Sequence, residues 1–64
     1  MKANRQKKIL EIVNRFTVMT QDDLIARLAM EGYEVTQATV SRDIRELNLI
    51  KGISARGVYC YALP

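Results

Sequence analysis

Apolar residues recur at helical spacing through most of the chain and at strand spacing near its end. Ile9, Ile12, Val13 and Phe16 fall on one stripe with Leu10 beside it, while Lys7, Lys8, Glu11 and Arg15 fall largely opposite. This pattern predicts a first helix over residues 4–16, with Asn4 as its cap. Thr17-Val18-Met19 reads as a short connector. A second helix follows over residues 21–31, with Leu24, Ile25, Leu28 and Ala29 as its apolar stripe. Thr20 is suited to accept from an otherwise orphan backbone N–H of the first turn, and Asp23, three residues on, makes a shortened capping box. Asp22 and Asp23 also complement the helix dipole. Gly32 can take the left-handed position that ends the helix.

A third helix is predicted over about residues 37–48. Thr36 is its cap, and Val35 and Val40 fit a hydrophobic staple across that cap. Val40, Ile44 and Leu47 share one stripe; Ala38, Arg42 and Arg45 point away from it, flanked by Thr39 and Ser41. Gly32-Tyr33-Glu34-Val35 joins the second and third helices into a helix-turn-helix unit, with Tyr33 and Val35 apolar enough to plug the gap between them.

Beyond Leu47-Asn48 the period drops to about two residues. Residues 49–53 and 58–63 read as strands and 54–57 as the turn of a β-hairpin. Tyr59, Tyr61 and Leu63 share one face of the second strand, and Val58, Cys60 and Ala62 the other; the larger set is expected to pack on the helices. Three helices followed by a two-stranded hairpin is an α+β arrangement with the layout of a winged helix-turn-helix. In that geometry the third helix enters a major groove, the second crosses above it, and the wing reaches an adjacent backbone or minor groove.

At 64 residues the chain is one domain, spanning residues 1–64, with a modest core. It is 48% hydrophobic and 27% charged, a globular rather than a disordered balance. The net charge of +3 is unevenly distributed. Residues 1–16 carry +4, residues 17–35 carry −3 and residues 36–64 carry +2, so the middle segment is the one expected to stay off a polyanion. A single cysteine, Cys60, excludes an intramolecular disulfide. With no histidine beside it, an ordinary zinc site cannot be assembled within the chain. No apolar run approaches the roughly 20 residues that span a bilayer. The basic N-terminus lacks the apolar stretch of a signal peptide, so a soluble cytoplasmic protein without a membrane partner is the expectation.

The chemistry this pattern offers is binding. Small residues on the outer face of the third helix let its backbone approach a groove, and arginine paired to guanine is the commonest specific base contact. The same Arg42 and Arg45 would also serve as ordinary solvated residues, with Asp43 and Glu46 as partial partners. Lys2, Arg5, Lys7 and Lys8 are open to solvation or to phosphate contact. Arg56, beside Gly57 at the hairpin tip, is either a plain turn residue or a minor-groove probe. Asp22 and Asp23 point in different directions on a helix and are spoken for as capping residues, not as an acid–base or metal pair. No Ser, Cys or carboxylate stands at plausible spacing from a base, so no enzyme is expected. A winged helix used purely as a protein-interaction module, without DNA specificity of its own, is the alternative.

The run Thr36-Gln37-Ala38-Thr39-Val40-Ser41-Arg42-Asp43-Ile44, followed by Glu46-Leu47, resembles the recognition-helix motif of bacterial arginine repressors. Thr20-Gln21-Asp22-Asp23-Leu24, Gly32-Tyr33 and the closing Tyr59-x-Tyr61-x-Leu63-Pro64 support the resemblance, which covers essentially the whole chain. It implies a transcriptional regulator of arginine metabolism genes that binds a double-stranded DNA operator. Carried onto this sequence, it makes Gln37, Thr39, Ser41 and Arg42 base readers, sets Arg45 on phosphate or base, and puts Arg56 in the wing. Members of the family carry a second, C-terminal domain that binds L-arginine as co-effector and builds trimers and hexamers. The resemblance therefore implies that arginine sensing and oligomerisation lie outside residues 1–64, and that these residues alone are monomeric off DNA and need no cofactor.

Overall fold

The computed structural model describes residues 2–64. Three helices, α1 (Lys2–Arg15), α2 (Gln21–Met30) and α3 (Gln37–Glu46), precede a hairpin of β1 (Ile50–Ile53) and β2 (Tyr59–Ala62). This is the α+β winged helix-turn-helix arrangement that the periodicity predicts. Ile9, Ile12 and Val13 of α1, Leu24 and Leu28 of α2, and Val40 of α3 meet in one core. Tyr33 and Val35 pack against that core from the turn between α2 and α3.

The helix ends follow local chemistry. Thr20 Oγ1 accepts from the Asp23 N–H at 3.0 Å and Asp23 Oδ2 accepts from the Thr20 N–H at 3.2 Å, a complete capping box. At the other end of α2, Gly32 takes φ +90°, its N–H reaching Ala29 O and the Tyr33 N–H reaching Leu28 O. That pair of bonds is the Schellman closure. α3 starts as expected, with Thr36 Oγ1 accepting from the Thr39 N–H at 3.2 Å. It ends earlier than predicted. Asn48 adopts φ +57°, and the Asn48 and Leu49 N–H groups bond to Arg45 O and Ile44 O, a second Schellman closure with asparagine in place of glycine.

The structure differs from the periodicity at several positions. Asn4 does not cap α1, which already begins at Lys2. Its first turn is tied to α3 through side-chain pairs from Lys2 and Arg5. Phe16 lies outside the core at 38% exposure; the Arg27 guanidinium stacks 3.9 Å from its ring centroid and covers it in place of apolar neighbours. Ala29 is exposed. Val18, read as mere connector, is fully buried, and its carbonyl accepts from the Tyr61 N–H at 2.8 Å. The connector thus runs alongside β2.

That contact lies at the base of the hairpin. Ile50 pairs with Ala62, Lys51 with Tyr61, Gly52 with Cys60 and Ile53 with Tyr59, antiparallel. Tyr61 packs against the core, as expected, but Tyr59 (58% exposed) and Leu63 (41%) of the same set do not. Cys60, from the smaller set, is the buried residue. Only the part of β2 beside Val18 is covered, and the tip projects. Lys51 Nζ donates to Met19 O and lies 4.5 Å from the Tyr61 ring centroid, fastening the hairpin base to the connector. Among the described residues, no helix is long and apolar enough to cross a membrane.

Candidate nucleic-acid interface

α3 sorts its residues by rotation about its own axis. The inner stripe places Val40 in the core, with Ile44 and Leu47 packed at its edge. The outer face leaves Gln37, Ala38, Arg42 and Arg45 exposed, with Thr39 and Ser41 half-buried along its borders. Ala38, Arg42 and Arg45 form one outward row, because positions three and four apart stack on a helix. The Thr39 hydroxyl accepts from Thr36 Oγ1 at 3.1 Å, which leaves its own proton free to be donated outward.

The two acids of α3 are both engaged by α1. Asp43 is 1% exposed and faces α1. Arg5 grips it with two bonds, Nε to Oδ2 at 2.5 Å and Nη2 to Oδ1 at 2.9 Å. Gln6 Nε2 donates to Asp43 Oδ1 and to Glu46 Oε1, each at 2.9 Å, and Lys2 Nζ pairs with Glu46 at 2.9 Å. The hydrogen bond from Arg5 holds the Asp43 carboxyl below the usual carboxylate range; burial opposes it, and Gln6 and the positive charges of Arg5 and Lys2 assist. Glu46 is likewise lowered, first by its bond from Lys2 and then by Gln6. Arg5 is raised in turn, chiefly by its bond to Asp43.

The charges of α3 are therefore separated. Its negative groups are neutralised by α1, while Arg42 and Arg45 make no ion pair among the described residues. The alternative in which Asp43 and Glu46 partner those arginines is overturned. The N-terminal basic cluster is largely committed as well. Lys2 and Arg5 bind α3, and Lys8 bridges Glu11 at 2.9 Å and Glu31 at 3.5 Å. Of that cluster, Lys7 is exposed and makes no ion pair among the described residues.

Gln37, Thr39, Ser41, Arg42 and Arg45 are thus gathered on one helix. Arg56 stands apart, exposed at the hairpin tip. Its turn is well made: the Ser54 N–H bonds to Val58 O, Gly57 takes φ +81°, and Ser54 Oγ accepts from the Arg56 and Val58 N–H groups. Beside the outer row, an open groove of about 510 Å³ runs between α2, α3 and β1, lined by Gln21, Ser41, Ile44, Arg45 and Asn48 among others. Gln21 and Asn48 add amide groups to this face that periodicity alone did not single out.

A family model described as "Arginine repressor, DNA binding domain" matches residues 1–64. The arginine repressor of Caldicellulosiruptor bescii is 54% identical over 63 residues, covering 98% of this chain and 41% of that protein. That of Clostridium acetobutylicum is 56% identical over 62 residues, covering 97% of this chain and 41% of that protein. That of Symbiobacterium thermophilum is 56% identical over 64 residues, covering 100% of this chain and 43% of that protein. The chain spans about two fifths of the length of these curated relatives. A match from end to end, on a fold whose third helix presents two exposed arginines, places the chain in the arginine repressor family, as its DNA-binding domain.

Proposed function

We propose that residues 1–64 bind double-stranded operator DNA ahead of arginine metabolism genes, with α3 in the major groove. Gln37, Thr39, Ser41 and Arg42 read base edges, Arg45 meets phosphate or base, and Arg56 at the wing tip lies near the minor groove or backbone. The observation that carries this reading is the charge separation on α3, where the acids are bound to α1 and Arg42 and Arg45 are exposed with no ion pair among the described residues. The action is binding without catalysis. Lysines and arginines neutralise phosphates and release counterions, a largely sequence-blind contribution, and α3 adds the sequence preference.

The full protein binds L-arginine as co-effector outside these residues and assembles as a trimer or hexamer. Linked domains then engage paired half-sites, which raises affinity through effective concentration. Residues 1–64 alone stay monomeric off DNA and bind more weakly.

The test compares a duplex enriched from a random-sequence pool by the 64-residue chain with its scrambled counterpart. Arg42→Ala is expected to cost about 1–3 kcal/mol on the enriched duplex and little on the scrambled one. An equal loss on both would make Arg42 a phosphate contact. Failure of the pool to enrich any sequence would favour a protein-interaction module instead.

A further inference from the structure

We propose that Arg5 and Asp43 are positioning residues for sequence readout, a clamp from α1 that fixes the rotation of α3 about its own axis. The proposal rests on the reading of α3 as the base-reading helix.

Asp43 follows Arg42 directly in the chain, about 100° round the helix, and is buried where Arg42 is exposed. The apolar contacts of α3 are few: Val40 is its one buried apolar residue, with Ile44 and Leu47 half-buried. Hydrophobic contact is non-directional and tolerates a small roll of a helix. A bidentate arginine–carboxylate fork does not, because it fixes both distance and plane. Gln6 extends the grip to Glu46, so α1 holds α3 at two points nearly one turn apart. Asp43 is buried and fully partnered, yet a buried pair of this kind is weak evidence for stability, since apolar residues of similar volume often serve as well. Its directional value is what an apolar pair would lack.

The geometry converts into recognition. A side chain at the rim of a helix lies about 5–6 Å from the axis, so a roll of about 10° moves it by about 1 Å. Hydrogen bonds weaken steeply with misalignment of that size, and a two-pronged contact from Arg42 to a base suffers twice. A phosphate contact, which depends mainly on charge, barely notices.

The decisive variants are Arg5→Lys, which keeps the charge and loses the fork, and Gln6→Leu, which removes only the lateral bonds. Each is tested as the 64-residue chain, with folding verified by thermal unfolding. Affinity is measured for the enriched duplex and for its scrambled counterpart across a salt series. The expected result for Arg5→Lys is an affinity ratio between the two duplexes reduced about tenfold, the discrimination that one well-aligned arginine–base contact supplies. Scrambled-duplex affinity and the salt slope are expected to stay unchanged. Gln6→Leu is expected to reduce the ratio about threefold, and it decides the matter if Arg5→Lys does not fold. Lys7→Ala, which removes an exposed charge, should instead weaken both duplexes alike. Unchanged ratios in folded Arg5→Lys and Gln6→Leu would overturn the clamp while leaving the reading of α3 intact. A wild-type chain that fails to distinguish the two duplexes would overturn that reading and the clamp with it.

Discussion

Replacing Arg5 by Met strands a carboxylate in the fold. Asp43 is 1% exposed and would keep only its bond from Gln6. Removing one partner of a buried pair costs about 3–5 kcal/mol. The cost has a ceiling, because Asp43 can protonate instead: taking a carboxyl from its ordinary value near 3.9 to neutral pH costs about 4 kcal/mol. Arg5→Met should therefore destabilise by about 3 kcal/mol. The reverse change, Asp43→Leu, should cost less, about 1–2 kcal/mol, since the Arg5 side chain is already 18% exposed and can swing into water. The double variant puts two apolar side chains where the pair stood and should return to within about 1 kcal/mol of the parent. The coupling energy is then about 3–5 kcal/mol, a large share of the roughly 3–10 kcal/mol available to a chain of this size. Urea unfolding near the temperature of maximum stability, followed by helical circular dichroism, gives all four corners of the cycle. Additive losses, with the double variant as unstable as the sum of the singles, would refute the pairing that links α1 to α3.

Three further outcomes follow from the same structure. Asn48→Gly should hold or slightly raise stability, since glycine takes the observed φ of +57° at no steric cost, whereas Asn48→Val should lose about 1–2 kcal/mol by thermal unfolding. The lowered Asp43 pKa contributes stability that is fully present above the unfolded value and is lost as pH falls through the folded one. Unfolding free energy should therefore decline below about pH 4, and Asp43→Asn should flatten that decline in an acid titration followed by circular dichroism. Thr36→Ala removes the acceptor for the Thr39 N–H and should cost about 1 kcal/mol, read as a lowered thermal midpoint.

What was legible in the sequence was what is decided within a few residues. Thr20 and Asp23, Gly32, and the start of α3 at Thr36 each depend on partners three or four positions away, and each was readable. The gathering of Gln37, Thr39, Ser41, Arg42 and Arg45 was readable for the same reason, since helical period alone sets it. The end of α3 was local too, but its signal was Asn48, a weaker left-handed marker than glycine.

What was missed depends on distant partners. Arg5 and Asp43 are 38 residues apart, and nothing near either one announces the other. A clue was present: Asp43 lies three residues after Val40 and four before Leu47, inside the apolar stripe of α3, where a carboxylate needs a partner. The burial of Val18 and the division of the hairpin faces accompany a backbone bond between the connector and Tyr61, 43 residues on, which no periodicity contains.

The central claim is that α3 reads sequence. Its most direct test is fluorescence anisotropy of the 64-residue chain with two labelled duplexes, one carrying a pair of arginine-operator half-sites and the other scrambled, each at low and at moderate salt. Tighter binding to the operator is expected, with a preference that persists as added salt weakens both. Equal binding to the two duplexes, erased together by salt, would contradict it and reduce the domain to a basic surface.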